Sequence, residues 1–348
     1  MYGFQADTLV LTNNGNKPIQ DIKKGDFVLT HKSRYKMVKD VQMINNSNVY
    51  FLQSYGAHKI IAGPNTLFYT KPKKKRNIFK PASWTEVKNV YKGMFMCSSY
   101  NTESVNSYYK QSLMDNDLKF YEFLGAYFAN GLLSEYKRTD KNYYDRKIII
   151  YNNIANEKIM DRIFKNIEFH YFKRYNKQSI SYIINNKSLF TYLYEFGKGS
   201  ENKHFTDKIF NLTKNQKHAI LKGYFKVNGI YDKESDSYIV SSVSNKLIYD
   251  LKQLVMEIYR LPVKVYKDAT DKKIILGQTI NTEPRYILRY KNNISMYDHA
   301  VVYNSHEYWQ PLRKVFCLEK QKQTLYNLII DEDMSYTANS LMVSSGYN

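Results

Sequence analysis

Two nine-residue segments, FLGAYFANG (123–131) and LKGYFKVNG (221–229), share a run of small residues that ends in an Asn-Gly pair. Gly125, Ala129 and Gly131 in the first, and Gly223 and Gly229 in the second, remove side chains where two helices would cross. Backbones can then approach closely. Taken singly, each segment is only an amphipathic helix with glycines at its end. A second candidate is the basic run TKPKKKR (70–76), which carries Lys71, Lys73, Lys74, Lys75 and Arg76. It reads as a phosphate-gripping hairpin tip, a nuclear-import-like patch or a solvated charge run. The seven histidines have no paired metal spacing, and no P-loop, GxSxG or GxGxxG context occurs. Cys97 and Cys317 are the two cysteines, too few for a cysteine-built zinc cluster, and they point to a reducing compartment.

The elements that must position these residues follow from pattern and composition. At 348 residues the chain exceeds one ordinary core, and 43% apolar content excludes a disordered tail. No apolar run approaches the roughly 18 residues of a membrane span, and no basic-then-apolar leader opens the chain. An intracellular protein is expected, with the compartment open. Lys and Arg outnumber Asp and Glu by 52 to 32, a net charge of +20 that attracts polyanions such as nucleic acid. AT-rich codon usage, visible in the abundant Lys, Asn, Tyr and Ile, yields the same excess without any nucleic acid. Short alternating runs at 8–12, 26–30, 48–53, 57–62 and 65–70 predict an all-β unit over the first hundred or so residues. From 117 the period becomes helical: a stripe over 117–133, a strand at 147–151, a helix at 156–167, a strand at 180–184 and a helix at 188–196. A second passage has helices at 214–227 and 244–259 and strands near 237–242, 262–266 and 285–290. The tail 324–343 returns to short strands. Two similar passages between two β-rich ends read as an internal repeat inserted into a β domain.

In this arrangement the chain resembles a known family. GFQADTLVLTNNGNKPIQDIKKGDFVLT (3–30), IIAGPNTLFYT (60–70), WTEVKNVYKGMFM (84–96) and TLYNLIIDEDMSYTANSLMVSSG (324–346) look like the splicing blocks of an intein Hint domain. The two nonapeptides resemble the paired LAGLIDADG motifs of a monomeric homing endonuclease, and YIVSSVSNKLIYDLKQLVMEIY (238–259) resembles the stretch after the second motif. The resemblance covers most of the chain. It implies a β-rich, horseshoe-like Hint domain (1–110 and 308–348) and an inserted α/β domain (113–300) of two αββαββα repeats, about 117–200 and 214–300, in pseudo-twofold arrangement. It also implies that the two motif helices pack together, that acids at their ends hold Mg²⁺ over a scissile phosphate, and that a saddle of strands reads bases in the major groove. One chain then acts as its own pseudo-dimer, a monomer.

The departures fall on the chemical positions. Asn130 and Asn228 stand where the family places its metal-binding acids; an amide oxygen can touch a cation but brings no charge, so the site is weak or lost. Asp232 follows the second motif closely, and Glu135 lies beyond the end of the first. Lys203, in NKHFTDKIF, resembles the family's basic residue near the cleaved phosphate, although a solvated lysine is an equal reading; Thr206 replaces the family's Pro. For splicing, Gly3 stands in place of the first nucleophile, and Gly63 and Thr66 in place of the Thr and His of the second block. Met334 replaces the upstream His, and Ser344, Ser345 and Gly346 replace the terminal His, the cyclising Asn and the nucleophile after it. Scaffold positions such as Asp7, Gly25, Asp26, Asn327, Asp333, Tyr336 and Asn339 stay in place. That lopsided loss reads as drift on a retained fold.

The expectation is a splicing-inactive, cleavage-deficient nucleic-acid-binding protein of this descent, with double-stranded DNA as partner and RNA an alternative. Two further readings stay open: a structural component of an RNA-bound nucleoprotein, and an active Mg²⁺-dependent endonuclease with a relocated acid.

Overall fold

The computed structural model describes residues 2–46, 48–56, 59–75, 78–99, 118–137, 144–165, 167–268, 272–275, 278–281, 284–291, 302–303, 307–319 and 323–346. Arg76 and the expected boundaries at 110, 113 and 300 lie outside these residues. The chain divides into two compact units: residues 1–104, 259–266 and 290–348, and residues 105–258 and 267–289.

The first unit is a large antiparallel sheet that draws strands from both ends of the chain. Phe4–Gln5 pairs with Gln323–Ile330 on one side (Phe4 opposite Tyr326) and with Lys59–Ala62 on the other (Phe4 opposite Ala62). Tyr35–Asn46 runs the length of Gln323–Ile330, from Asn46 opposite Gln323 to Val38 opposite Ile330, with a bulge before the last pair. Leu341–Ser344 pairs with both Ser335–Ala338 and Leu67–Lys71. Period-2 alternation of β-branched and aromatic residues drives these pairings. Their inner faces bury Phe4, Val10, Leu52, Phe68, Leu328 and Tyr336 in one core. The Lys-Lys-Gly-Asp turn depends on Gly25 at φ +93°, and Asp26 closes it by accepting from the Lys23 amide at 2.8 Å. Tyr35–Asn46 and Glu307–Leu318 were not anticipated as strands, because Lys, Asp and Gln interrupt the alternation and only pairing on both sides specifies them.

The second unit carries helices α1 (Leu118–Asn130), α2 (Glu157–Phe164), α3 (Lys187–Tyr194), α4 (Asp207–Phe210), α5 (Lys214–Asn228) and α6 (Asn245–Tyr259). One four-stranded sheet has the order Gly131–Lys137, Tyr144–Asn153, Ser179–Ile184, Tyr171–Tyr175; in another, Ile230–Asp232, Ser237–Ser242 and Arg285–Lys291 lie side by side. From α1 to α3 the elements therefore alternate helix, two strands, helix, two strands, helix. The helical stripe expected over 117–133 stops at Asn130. Gly131 opens a strand instead, because Leu132 and Leu133 face opposite sides of a ladder in which Gly131 sits opposite Ile150. α5 begins with a capping box, in which Thr213 Oγ accepts from the Gln216 amide and Gln216 accepts from the Thr213 amide. Among the described residues, no helix is long and apolar enough to cross a membrane.

α1 and α5 cross at their glycines with almost no space between backbones. A Cβ placed on Gly125 would lie 2.1 Å from the Ile220 carbonyl oxygen, and one on Gly223 would lie 1.9 Å from that of Glu122. Both distances are far inside van der Waals contact with rigid backbone, so any side chain there forces the helices apart. Gly223→Ala is therefore expected to cost about 3 kcal/mol or more, at the upper end of overpacking penalties. Urea unfolding monitored in the second unit checks this; a loss below about 1 kcal/mol would show that the crossing can relax.

Candidate functional site

The crossing brings the C-terminal ends of α1 and α5 to the wall of one cleft of about 250 Å³, lined by Asn130, Asn228, Lys203, Ser241, Ser242 and Arg285 among others. Asn228 is fixed by donating from Nδ2 to the Ser241 carbonyl at 2.8 Å. Beneath it Tyr224 donates to the same carbonyl at 2.9 Å. Asn130 is half-buried, and its side chain makes no hydrogen bond among the described residues.

Lys203 is not a solvated lysine. It is 3% exposed, and its Nζ donates to the carbonyls of Tyr127 (2.8 Å) and Phe128 (3.1 Å). Those carbonyls belong to the last turn of α1, where no intrahelical donor reaches them and the helix dipole favours a cation. The segment is pinned on both sides: Ser244 Oγ donates to the Lys203 carbonyl at 2.5 Å, and the Phe205 amide donates to Asp250 at 2.8 Å. Burial pushes the Lys203 ammonium down to about 7, and the two helix-end carbonyls oppose that shift.

The donors in the cleft do not fit a divalent cation. Amides, hydroxyls, an ammonium and a guanidinium line it, whereas Mg²⁺ binding rests on carboxylates. Among the described residues no group of three or more His, Cys, Asp or Glu side chains is placed to hold a metal ion. The nearby acids are engaged elsewhere. Asp232 accepts from Ser235 Oγ at 2.5 Å and pairs with Arg289 at 2.6 Å, and the Ser235 hydrogen bond leads in holding its carboxyl below the usual range. Glu135 pairs with Arg146 at 2.7 Å and Lys198 at 3.5 Å, and the Arg146 hydrogen bond leads in holding its carboxyl below the usual range.

In the first unit the splicing-type positions form two tight backbone clusters. The Gly3 amide donates to Thr66 Oγ1 at 3.0 Å, and the Gly63 amide donates to the Gly3 carbonyl at 2.9 Å. Gly3 sits at φ +118°, and a Cβ there would meet the Tyr326 carbonyl oxygen at 2.8 Å, so this backbone admits no nucleophilic side chain without moving. Ser344 Oγ donates to the Met334 carbonyl at 3.1 Å, the Ser345 amide donates to the same oxygen at 2.9 Å, and Asn327 holds the Ser345 carbonyl at 2.9 Å. A Cβ placed on Gly346 would lie 3.3 Å from the Tyr2 ring. The only described histidine near this end, His31, is engaged with Ser335 Oγ at 2.6 Å.

In the described part of the basic run, Lys73–Lys75 pairs antiparallel with Ile78–Phe79, with Lys75 opposite Ile78 and Lys73 opposite Phe79. Lys71 is half-buried with its ammonium 4.4 Å from the Trp309 ring centre, and Lys73 lies 6.0 Å from that of Phe95. Lys74 and Lys75 are exposed. Trp84 packs against Tyr69 at 4.9 Å and His31 at 5.6 Å. Sequence reasoning missed Arg285, the fully buried Lys252 in α6, and a second cleft of about 720 Å³ that shares Asn130 with the first. The Asn-Asn pair at 152–153 and Asn-Lys-Gln at 176–178 were the available signal for that cleft.

No protein-family model matches the sequence, and no curated protein matches it. Among solved structures, mesophilic variants of the homing endonuclease I-DmoI are 14% identical, matching 52% of this chain and 93% of theirs at a TM-score of 0.38. Full-length DUF199/WhiA from Thermatoga maritima is 13% identical over 56% of each chain at 0.33. A bacterial intein-like domain from Clostridium thermocellum is 22% identical over 28% of this chain and 66% of its own at 0.23. These likenesses are low and cover parts of the chain.

Lys252 Nζ has no hydrogen-bond partner among the described residues, and burial pushes its ammonium down to about 7. Folding thus favours the neutral amine, while the unfolded chain stays charged up to the ordinary lysine value of 10.5. Stability should rise as pH increases from about 7 towards 10.5, where the unfolded state binds the extra proton. Lys252→Met should flatten that rise and stabilise the protein at pH 6 by on the order of 2 kcal/mol. Urea midpoints at pH 6, 7.5 and 9 read both effects; a destabilised Lys252→Met at pH 6 would contradict them.

Proposed function

We propose that the chain is a double-stranded-DNA-binding protein of intein and LAGLIDADG descent that neither splices nor cleaves through a metal at its paired helix ends. On this reading the Hint-like part spans 1–110 and 308–348, and the DNA-binding part 113–300 with repeats at about 117–200 and 214–300. The observation that carries it is the composition of the cleft: two amides at matching helix ends, with an ammonium and a guanidinium and no carboxylate. Such a lining attracts a phosphodiester and repels a cation. The excess of basic residues, +20 overall, supports the same partner. Neither Asp232 nor Glu135 lines the cleft, and each is already paired with Arg, so nothing favours a relocated acid. For splicing, Gly3, with Thr66 on its amide, offers neither nucleophile nor base.

Selection from a randomised duplex library in Mg²⁺ tests the reading. Enrichment of a duplex over random sequence by a factor on the order of 10³, with every strand intact, is the expected result. Cleaved products, or copurified structured RNA with no duplex preference, would overturn it. On the enriched duplex, Asn130→Asp combined with Asn228→Asp should introduce Mg²⁺-dependent nicking, because two carboxylates then face the bound phosphate. A folded, DNA-binding double variant that never nicks would show that these positions do not adjoin the backbone.

A further inference from the structure

From Val41 to Thr85 the sequence holds no Asp or Glu, yet it holds seven Lys and Arg, six of them between Lys71 and Lys80. Within this stretch Lys73–Lys75 and Ile78–Phe79 form a two-stranded ribbon that pairs with no other strand among the described residues. Its base is fixed. The Lys80 amide donates to the Pro72 carbonyl at 2.9 Å, and the half-buried Phe79 ring meets Phe95 edge-on at 4.8 Å. Lys71 ends the preceding strand of the large sheet opposite Phe95, with its ammonium over the Trp309 ring. A ring face attracts an ammonium and leaves its charge in place. The register shifts between Ile78 and Phe79, so Lys74 has no residue opposite it; such a bulge bends a strand and re-aims a side chain. Lys73, Lys74, Lys75 and Lys80 are all exposed.

Elsewhere the same unit neutralises its lysines. Lys17, Lys32, Lys36, Lys39 and Lys88 each lie within 3.0 Å of a carboxylate oxygen. Among the described residues, Lys73, Lys74, Lys75 and Lys80 form no ion pair. Like charges so close repel one another, and an anion bound across them relieves the repulsion.

We propose that this ribbon grips the sugar–phosphate backbone of a nucleic acid, a contact of the first unit that the cleft in the second does not supply. The extended run Lys73–Lys75 spans roughly 7 Å, a line of cations suited to a line of phosphates rather than to one small anion. Duplex DNA presents such a line, with one negative charge per about 1.7 Å of axis. A membrane surface fits less well. Interfacial binding scales with buried apolar area, and Ile78, 52% exposed, is the ribbon's one exposed apolar side chain among the described residues. Backbone contacts carry no base information, so the ribbon adds affinity and not sequence preference. The inference rests on the duplex-binding reading above.

Its test is the salt dependence of duplex affinity for the whole chain. Each phosphate contact contributes about 0.9 to the slope of log affinity against log salt concentration. Lys73→Gln, Lys74→Gln and Lys75→Gln together should lower that slope by about 2 to 3 and leave the ratio of enriched to random duplex as it was. Lys73→Arg, Lys74→Arg and Lys75→Arg together should keep the slope. The control, Lys17→Gln, Lys36→Gln and Lys39→Gln, removes the same charge from lysines already paired, and should change the slope by less than about 0.5. Lys74→Gln alone should lower it by about 0.9, which serves should the triple variant disturb folding. A slope unchanged in the folded Gln variant, or falling equally in the Arg variant or the control, would overturn the inference. Binding to phosphatidylserine vesicles that the Gln variant loses, with its duplex slope unchanged, would assign the ribbon to a membrane and overturn it too. No duplex binding by the unaltered chain would instead overturn the reading on which it rests.

Discussion

The approach of α1 to α5 through Gly125 and Gly223 is the constraint on which the rest of the second unit depends. With carbonyls of one helix where a Cβ of the other would be, the two axes have no freedom to slide or separate. The helix ends must then emerge side by side, and Asn130 and Asn228 face one cleft as a result. Every other feature of the site follows from that placement. The strands that start at Gly131 and Ile230 leave directly from the two helix ends, so the sheets begin at the same point as the cleft.

Charge decides what such a cleft can hold. Helix C-terminal ends carry partial negative charge, and four carbonyls at each lack intrahelical donors. In α1 two of them are satisfied by the buried ammonium of Lys203. An external cation would therefore meet a lysine already seated, the Arg285 guanidinium and two neutral amides. Coulomb repulsion at short range and the lack of carboxylates act in the same direction. A bound phosphate meets the opposite balance. In the first unit, the positions where splicing chemistry was expected are held by hydrogen bonds to backbone amides and carbonyls.

Much of this was legible in the sequence. The strand at 237–242 lies where alternation put it, and α5 and α6 lie within a residue or two of their stripes. The pairing of the chain ends was legible from β-rich patterns at both termini. Other features depended on neighbours that no local pattern reveals. Leu132 and Leu133 extended the apolar stripe of α1, yet strand pairing claims them. Lys203 sits in a polar, basic stretch that leaves a solvated lysine as an equal reading beside the family's basic residue; only the arrival of the α1 carbonyls buries it. The second cleft is hidden because Asn is common throughout, and the register that gathers its amides is a property of the folded sheet.

The central claim is that the paired helix ends meet nucleic acid without a metal between them. Duplex affinity measured at constant ionic strength in Mg²⁺ and in EDTA addresses it most directly. The account predicts dissociation constants within about twofold of each other, since no group in the cleft gains by recruiting a cation. A gain of about tenfold or more on adding Mg²⁺, saturating with metal and lost in Asn130→Leu, would place a cation in the cleft and contradict it.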